Sequence, residues 1–262
     1  SQIQTLSSSQ LGALTSTQVQ ALGTSGINQL KTDQIKTLGT AAINSLNVDQ
    51  ITNLDTSLFA QLSSSQIGAI STATLSGLSS SRIQAFDTMG ASGLTASQIN
   101  ALGTDGIGKL SNAQIGALSS SAVKALTGDQ IKALGTAKIS GLTSAQLRSL
   151  STSAINALSS TQLSKLETAS VANLTSDQIG AIATDVVKEL SSAQIQALGT
   201  SGITALKTNQ IQALDTADIA NLSYDQVGTL TTSQINALTS AQITGLDTSD
   251  IPALKTSQIK AL

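Results

Sequence analysis

Apolar side chains recur along this chain at alternating intervals of three and five residues. The pattern defines an octad, x-[S/T]-x-Q-[I/V]-x-A-L, of which Ser191-Ser192-Ala193-Gln194-Ile195-Gln196-Ala197-Leu198 is a clean copy. Residues 1–6 are the tail of one octad, and 32 complete octads then run to Leu262 without insertion or deletion. Position five is Ile, Val, Leu or Phe everywhere except Ala91, and position eight is Leu except at Ile70, Phe86 and Ile182. Position two is Ser or Thr in 27 of 32 octads, the exceptions being Val48, Ala96, Asn112, Gly128 and Tyr224.

This spacing favours helix over strand. A strand shows alternation at period two, which positions five, seven and eight do not. Residues three apart share a helix face, and Ala, Leu and Gln are good helix formers. One continuous helix is excluded, because the apolar repeat averages four residues where a helix turns in 3.6. Each octad therefore reads as a helix of about one and a half turns and a tight turn. Two cap registers fit: Ser or Thr at position two as N-cap, or Ser or Thr at position one with Gln at position four as a capping box. Gly directly after Leu, as at Gly23, Gly39, Gly103, Gly135 and Gly199, suits a left-handed C-cap.

Neighbouring octads differ. Gln fills position four in every second unit, from Gln18 and Gln34 to Gln258 with Arg82 as exception. The units between carry residues such as Gly26, Ala42, Thr74, Ala154 and Asp218 there. The expected fold is thus an all-α solenoid of 16-residue coils, each two short helices, with a β-solenoid as the alternative. Residues 1–262 would be one repeat array of about sixteen coils. So short a helix is unstable alone, so contacts between coils must hold the array together. Stacked helices, about 8–10 Å apart, would make a rod of roughly 130–160 Å, against roughly 75–80 Å for strands about 4.8 Å apart.

Composition narrows the chemistry. The aromatics are Phe59, Phe86 and Tyr224, so the core is thin and aliphatic. Net charge is −2, from 13 basic and 15 acidic residues spread along the length. No basic stripe is present to neutralise phosphates, which argues against nucleic acid. No apolar run approaches the ~20 residues of a membrane span. Cys and His are absent, which removes disulfides, the commonest soft-metal ligands and the commonest acid–base group. The opening at position three suggests a piece cut from a longer array.

No residue is nominated as catalytic, cofactor-binding or metal-ligating. The many serines have no histidine to activate them, and no phosphate-binding glycine motif occurs. The Gln column reads as a structural ladder, and the Ser/Thr column at position two as caps. Asp33, Asp49, Asp105, Asp129, Asp177, Asp185 and Asp225, all at position three, read as first-turn helix residues rather than cation ligands. The least regular stretch is 79–94, with Arg82 for Gln, Phe86 for Leu, and Met89, Gly90 and Ala91. Phe86 and Ala91 read as a compensating exchange of core volume, and Phe59 beside Leu58 as core filling. Pro252 removes a helix N–H and should shorten or weaken its octad.

The wording L-T-S-A-Q-I-x-x-L at Leu238–Leu246, and L-S-S-A-Q-I-Q-A-L at Leu190–Leu198, resembles a repeat of very large proteobacterial secreted or surface proteins, often labelled haem-utilisation or adhesion proteins. The resemblance runs through the whole chain. It implies a secreted or cell-surface spacer that forms filaments. Haem binding does not carry over, because His and Cys are absent and Met89 and Tyr224 are isolated. The expected function is a non-enzymatic stalk or filament segment, self-associating end to end, with no cofactor, no nucleic acid and no membrane insertion. The alternative is a module that grips an extended surface protein or glycan.

Overall fold

In the computed structural model, which describes residues 2–262, each octad is a short helix and a corner. The helix covers positions two to six or seven, as in Ser64–Ala69, Asn112–Ala117 and Ser192–Ala197. Position one is the N-cap, with extended backbone: Ser63 has φ −67° and ψ 163°. Position eight is usually extended as well, as at Ile70 (φ −60°, ψ 132°). These two residues turn the chain between helices. Ile67 N–H donates to Ser63 O at 2.9 Å, and Ile70 N–H to Ile67 O at 3.1 Å. So few internal bonds explain why no octad stands alone. The described residues contain helices and no strand, as the apolar spacing predicts.

The structure decides the cap register. Ser63, Thr95, Ser111, Thr143, Ser191 and Thr239, all at position one, accept the N–H of the Gln three residues on and complete capping boxes. The position-two hydroxyl is therefore the first helical residue and not the cap, so the reading of that column as caps is corrected. Its side chain points outward, which is why Val48 and Tyr224 stand exposed there.

The chain falls into two compact units, Ser1–Leu126 and Thr127–Leu262. Within the first, helix Thr40–Ser45 packs on Ser16–Ala21 and on Ser64–Ala69. Within the second, Thr152–Asn156 packs on Ser176–Ala181, which packs on Gly199–Ala205, which packs on Tyr224–Thr229. Each step is three octads. Side-chain bonds add links four octads apart, as from Gln66 to Ile35 and from Gln210 to Ile179. One turn of each solenoid thus takes between three and four octads. The expected 16-residue coil of two helices is corrected accordingly. With a corner at every octad, three to four sides are needed before the chain comes back over itself. Positions five and eight then lie inside. From Thr127 to Leu238 every one of them is buried.

Four glycines at position one depart from the ordinary corner. Gly23, Gly103, Gly135 and Gly199 have φ of 62°, 61°, 68° and 64°, a region costly for any residue with a Cβ. Leu22 and Leu198 before them stay helical, at ψ −24° and −23°. Gly39 keeps an ordinary cap conformation, with φ −64°. The octad of Pro252 holds only the 3-10 turn Ile251–Ala253, the shortening expected of a missing N–H.

Close approach between helices three octads apart is built from small residues. A Cβ on Gly93 would overlap the Ser64 carbonyl oxygen. One on Gly68 would lie 2.8 Å from the Gly93 oxygen. Gly93→Ala should therefore lower stability by about 1–3 kcal/mol, the usual cost of overpacking. Urea unfolding of the full chain, read as the midpoint, checks this.

Candidate functional site

The most specific polar feature of the sequence, the Gln column, is the organised polar structure of the fold. Gln98 shows the geometry. Its Oε1 accepts the Thr95 N–H at 2.9 Å, closing the capping box of its own helix. Its Nε2 donates to the Ile67 and Ile70 carbonyls, both at 2.8 Å, four octads back. Gln66 and Gln114 do the same to Ile35 and Leu38, and to Ile83 and Phe86. In the second unit Gln178, Gln210 and Gln242 repeat it. One amide thus caps a helix and ties it to the next turn. Its residue is at most 7% exposed from Gln34 to Gln258. Both readings of the column, cap and ladder, hold at once.

The positive-φ glycines alter the rung. Where Leu stays helical, its carbonyl accepts the N–H four residues on: Leu22 from Gly26 and Leu198 from Gly202, both at 3.1 Å. The Gln four octads later then misses that acceptor. Gln50 bonds Val19 and Gln20, and Gln226 bonds Ile195 and Gln196. Gln162 reaches Ile131 alone.

A second set of amides runs the other way. At position six, Gln20, Asn28, Asn156 and Gln196 donate to carbonyls 25 residues ahead, those of Ser45, Asn53, Ala181 and Asn221. Where position six is Gly68 or Gly180, an open groove remains. The groove at Gly180 has a volume of about 600 Å³ and is lined by Thr152, Asn156, Thr184 and Lys207. That at Gly68 has about 590 Å³, with Thr40, Asn44, Thr72 and Thr95 in the equivalent octad positions.

The irregular patch is a broken rung. Arg82 replaces Gln, and its buried Nη1 has no hydrogen-bond partner. The guanidinium lies over the Phe59 ring at 5.9 Å, and Phe59 stacks on Phe86 with centroids 5.1 Å apart. Phe86 and Ala91 are both buried, as a volume exchange in the core requires. Sequence reasoning singled out Arg82 but had no signal for its place over Phe59, which lies three octads earlier in the chain.

The position-three carboxylates occupy first turns, as Asp33, Asp49, Asp129, Asp177, Asp185 and Asp225 show. The structure does not bring them together: no group of three His, Cys, Asp or Glu able to hold a metal occurs among the described residues. Asp129 pairs with Lys132 at 3.8 Å on an exposed face, a contact worth little. Asp218 was not anticipated. It stands at position four, buried, and accepts the Ser192 hydroxyl at 3.1 Å. Burial pushes its carboxyl above the ordinary range, and neighbouring Asp215 adds to that, against the Ser192 hydrogen bond. No helix among the described residues is long and apolar enough to cross a membrane.

The model of the ALTTAQ repeat family matches residues 107–136, 133–168, 179–216 and 211–248, together half of the chain. Ala237–Gln242 reads A-L-T-S-A-Q. In structural terms these letters are the core Leu, the capping hydroxyl and the ladder Gln. No curated protein matches the chain.

Three outcomes follow from the ladder. Gln98→Ala removes four side-chain hydrogen bonds and strands the Ile70 carbonyl, a loss of about 2–4 kcal/mol in urea unfolding. Arg82→Gln restores a rung and should gain about 1 kcal/mol after loss of the Arg–Phe contact. Asp218 supplies the pH dependence. Its folded-state pKa is raised, so its contribution is favourable at low pH and is lost as pH rises from the unfolded to the folded value. Asp218→Asn should match the wild type in acid, exceed it at neutral pH and flatten the melting temperature against pH.

Proposed function

Because the chain belongs to the ALTTAQ repeat family, we propose that it is a non-catalytic structural spacer in a secreted or cell-surface bacterial protein. The observation that carries this reading is the ladder itself. The conspicuous polar residues of the repeat, Gln at position four and Ser or Thr at position one, are consumed in capping and in tying turns together. Nothing in them remains poised for a substrate. A fold whose Gln column and position-one hydroxyls are spent on its own turns suits a part that sets distance. It also adds length in units of one octad without new side-chain chemistry. The secreted or surface location and the link to adhesion rest on the resemblance of the L-T-S-A-Q-I wording.

A second reading is a binding module for an extended glycan or protein segment. The equivalent octad placement of the grooves at Gly68 and Gly180 favours it. Two experiments separate the readings. Antibody raised against the purified chain should label intact, unpermeabilised producing cells; labelling only after lysis would overturn the surface location. A glycan array should show no saturable binding to the spacer, whereas saturable binding abolished by Gly180→Gln would establish the module.

A further inference from the structure

The groove at Gly180 carries two unpaired charges that its counterpart at Gly68 lacks. It has a second lobe of about 570 Å³, which shares Thr152, Gly180, Ala181 and Lys207 with the first and adds Ser176, Asp177 and Ala205. Lys207 and Asp177 line this lobe together yet form no ion pair. In the octads around Gly68 their places are held by Thr95 and Ser65. Lys207 stands in the capping column, so its helix forgoes the side-chain cap bond that a hydroxyl there supplies. Its Cε lies 3.7 Å from where a Cβ on Gly180 would be, and the lysine stem thus crosses the bare floor of the groove. The floor also holds an open acceptor. Elsewhere a position-six amide donates to the carbonyl 25 residues ahead, as Asn156 does to Ala181. Gly180 has no amide to give. The Ala205 carbonyl, 3.3 Å from the same Cβ position, receives no hydrogen bond among the described residues.

We infer that this groove binds a free α-amino acid with an uncharged polar side chain. A ligand that carries both charges satisfies Lys207 and Asp177 at once, whereas an anion would face Asp177 and a cation would face Lys207. The ligand's ammonium has three hydrogens to place. The second lobe offers three acceptors: the Asp177 carboxylate, the Ala205 carbonyl and the Ser176 hydroxyl. The ligand's carboxylate falls to Lys207 and the Thr152 hydroxyl. Its side chain then runs into the first lobe, which Asn156 and Asn209 line. Both amides are oriented by their own Nδ2 bonds, to the Ala181 carbonyl at 2.9 Å and to the Thr184 hydroxyl at 2.7 Å. Each Oδ1 is left as an acceptor for a polar side chain. No aromatic ring lines either lobe, so a large apolar side chain would gain little there.

This inference goes beyond the spacer reading, and its failure would leave that reading standing. L-Glutamine is the probe, titrated into the full chain and followed by calorimetry. One molecule per chain should bind, with a Kd of about 1 mM or below. N-acetyl-L-glutamine and L-glutamine amide each lack one of the two charges, and each should bind about tenfold more weakly. Lys207→Ser restores the hydroxyl usual in its column, and Asp177→Ser copies Ser65 of the other groove. Both variants should keep the far-ultraviolet circular dichroism of the parent chain and weaken binding about tenfold. No saturation up to about 10 mM would overturn the inference. So would undiminished binding of the N-acetyl or amide compound, or undiminished binding by either variant. A stoichiometry of two would overturn it as well, since the uncharged groove at Gly68 would then serve equally.

Discussion

The fold depends on one side-chain amide used three ways. A Gln at position four accepts the N–H of its own N-cap residue and donates both amide hydrogens to carbonyls a full turn away. The carbonyls in question, at positions five and eight, lie where each short helix ends: that of position five takes one bond within its octad, as Ile67 O does from the Ile70 N–H, and that of position eight takes none at the ordinary corner. They face the interior, where an unmade hydrogen bond is costly. Gln is the residue that fits. Glu has no hydrogen to donate at neutral pH, Lys has no acceptor, and both would bring a charge into the interior. Where Arg82 stands in its place, a buried nitrogen goes unbonded.

The turn size follows from this bond and from the corner. Each octad adds one helix and one change of direction, and the helices three and four along come back into contact. The array thereby repeats, one level up, the arithmetic of an α-helix, in which each residue meets those three and four ahead. A Gln in every second octad returns to the same edge after four octads. The alternation of 16 residues therefore feeds interleaved ladders, one through Gln34, Gln66 and Gln98, another through Gln178, Gln210 and Gln242.

That relation explains what the sequence disclosed and what it withheld. Helix, octad phase and core positions were legible because they are local: a spacing of three, a hydroxyl cap, a Leu at each corner. The ladder was legible as a column of identical residues. The number of octads per turn was not, since a period in composition need not be the period at which a superhelix closes. The cap register was left open because hydroxyls fill both position one and position two. Only the Ser63 and Thr95 backbone, extended at position one, decides between them. The burial of Asp218 was not foreseen because it sits in the column where the other half of the repeat accepts almost anything, and its burial comes from residues distant in sequence.

Gln234 shows that the alternation is not imposed by packing. It lies in an octad of the half that ordinarily lacks Gln, next in line after Gln226. It nevertheless makes a full rung, to Ile203 and Leu206, both at 2.7 Å. The acceptors are therefore available in both halves, and a ladder in every octad is compatible with the backbone. What the remaining octads lose in hydrogen bonds they recover by burying small or apolar groups at the same position: Ala122 and Ala154 fully, Leu58 and Val186 almost so. Position four is thus a single interior site with several solutions: an amide that bonds across turns, an apolar side chain that asks for no bond, or, at Thr74, a hydroxyl that bonds its own N-cap residue. Asp218, buried there, is ionisable; it accepts the Ser192 hydroxyl from an earlier turn, and burial raises its pKa, which makes this position sensitive to pH.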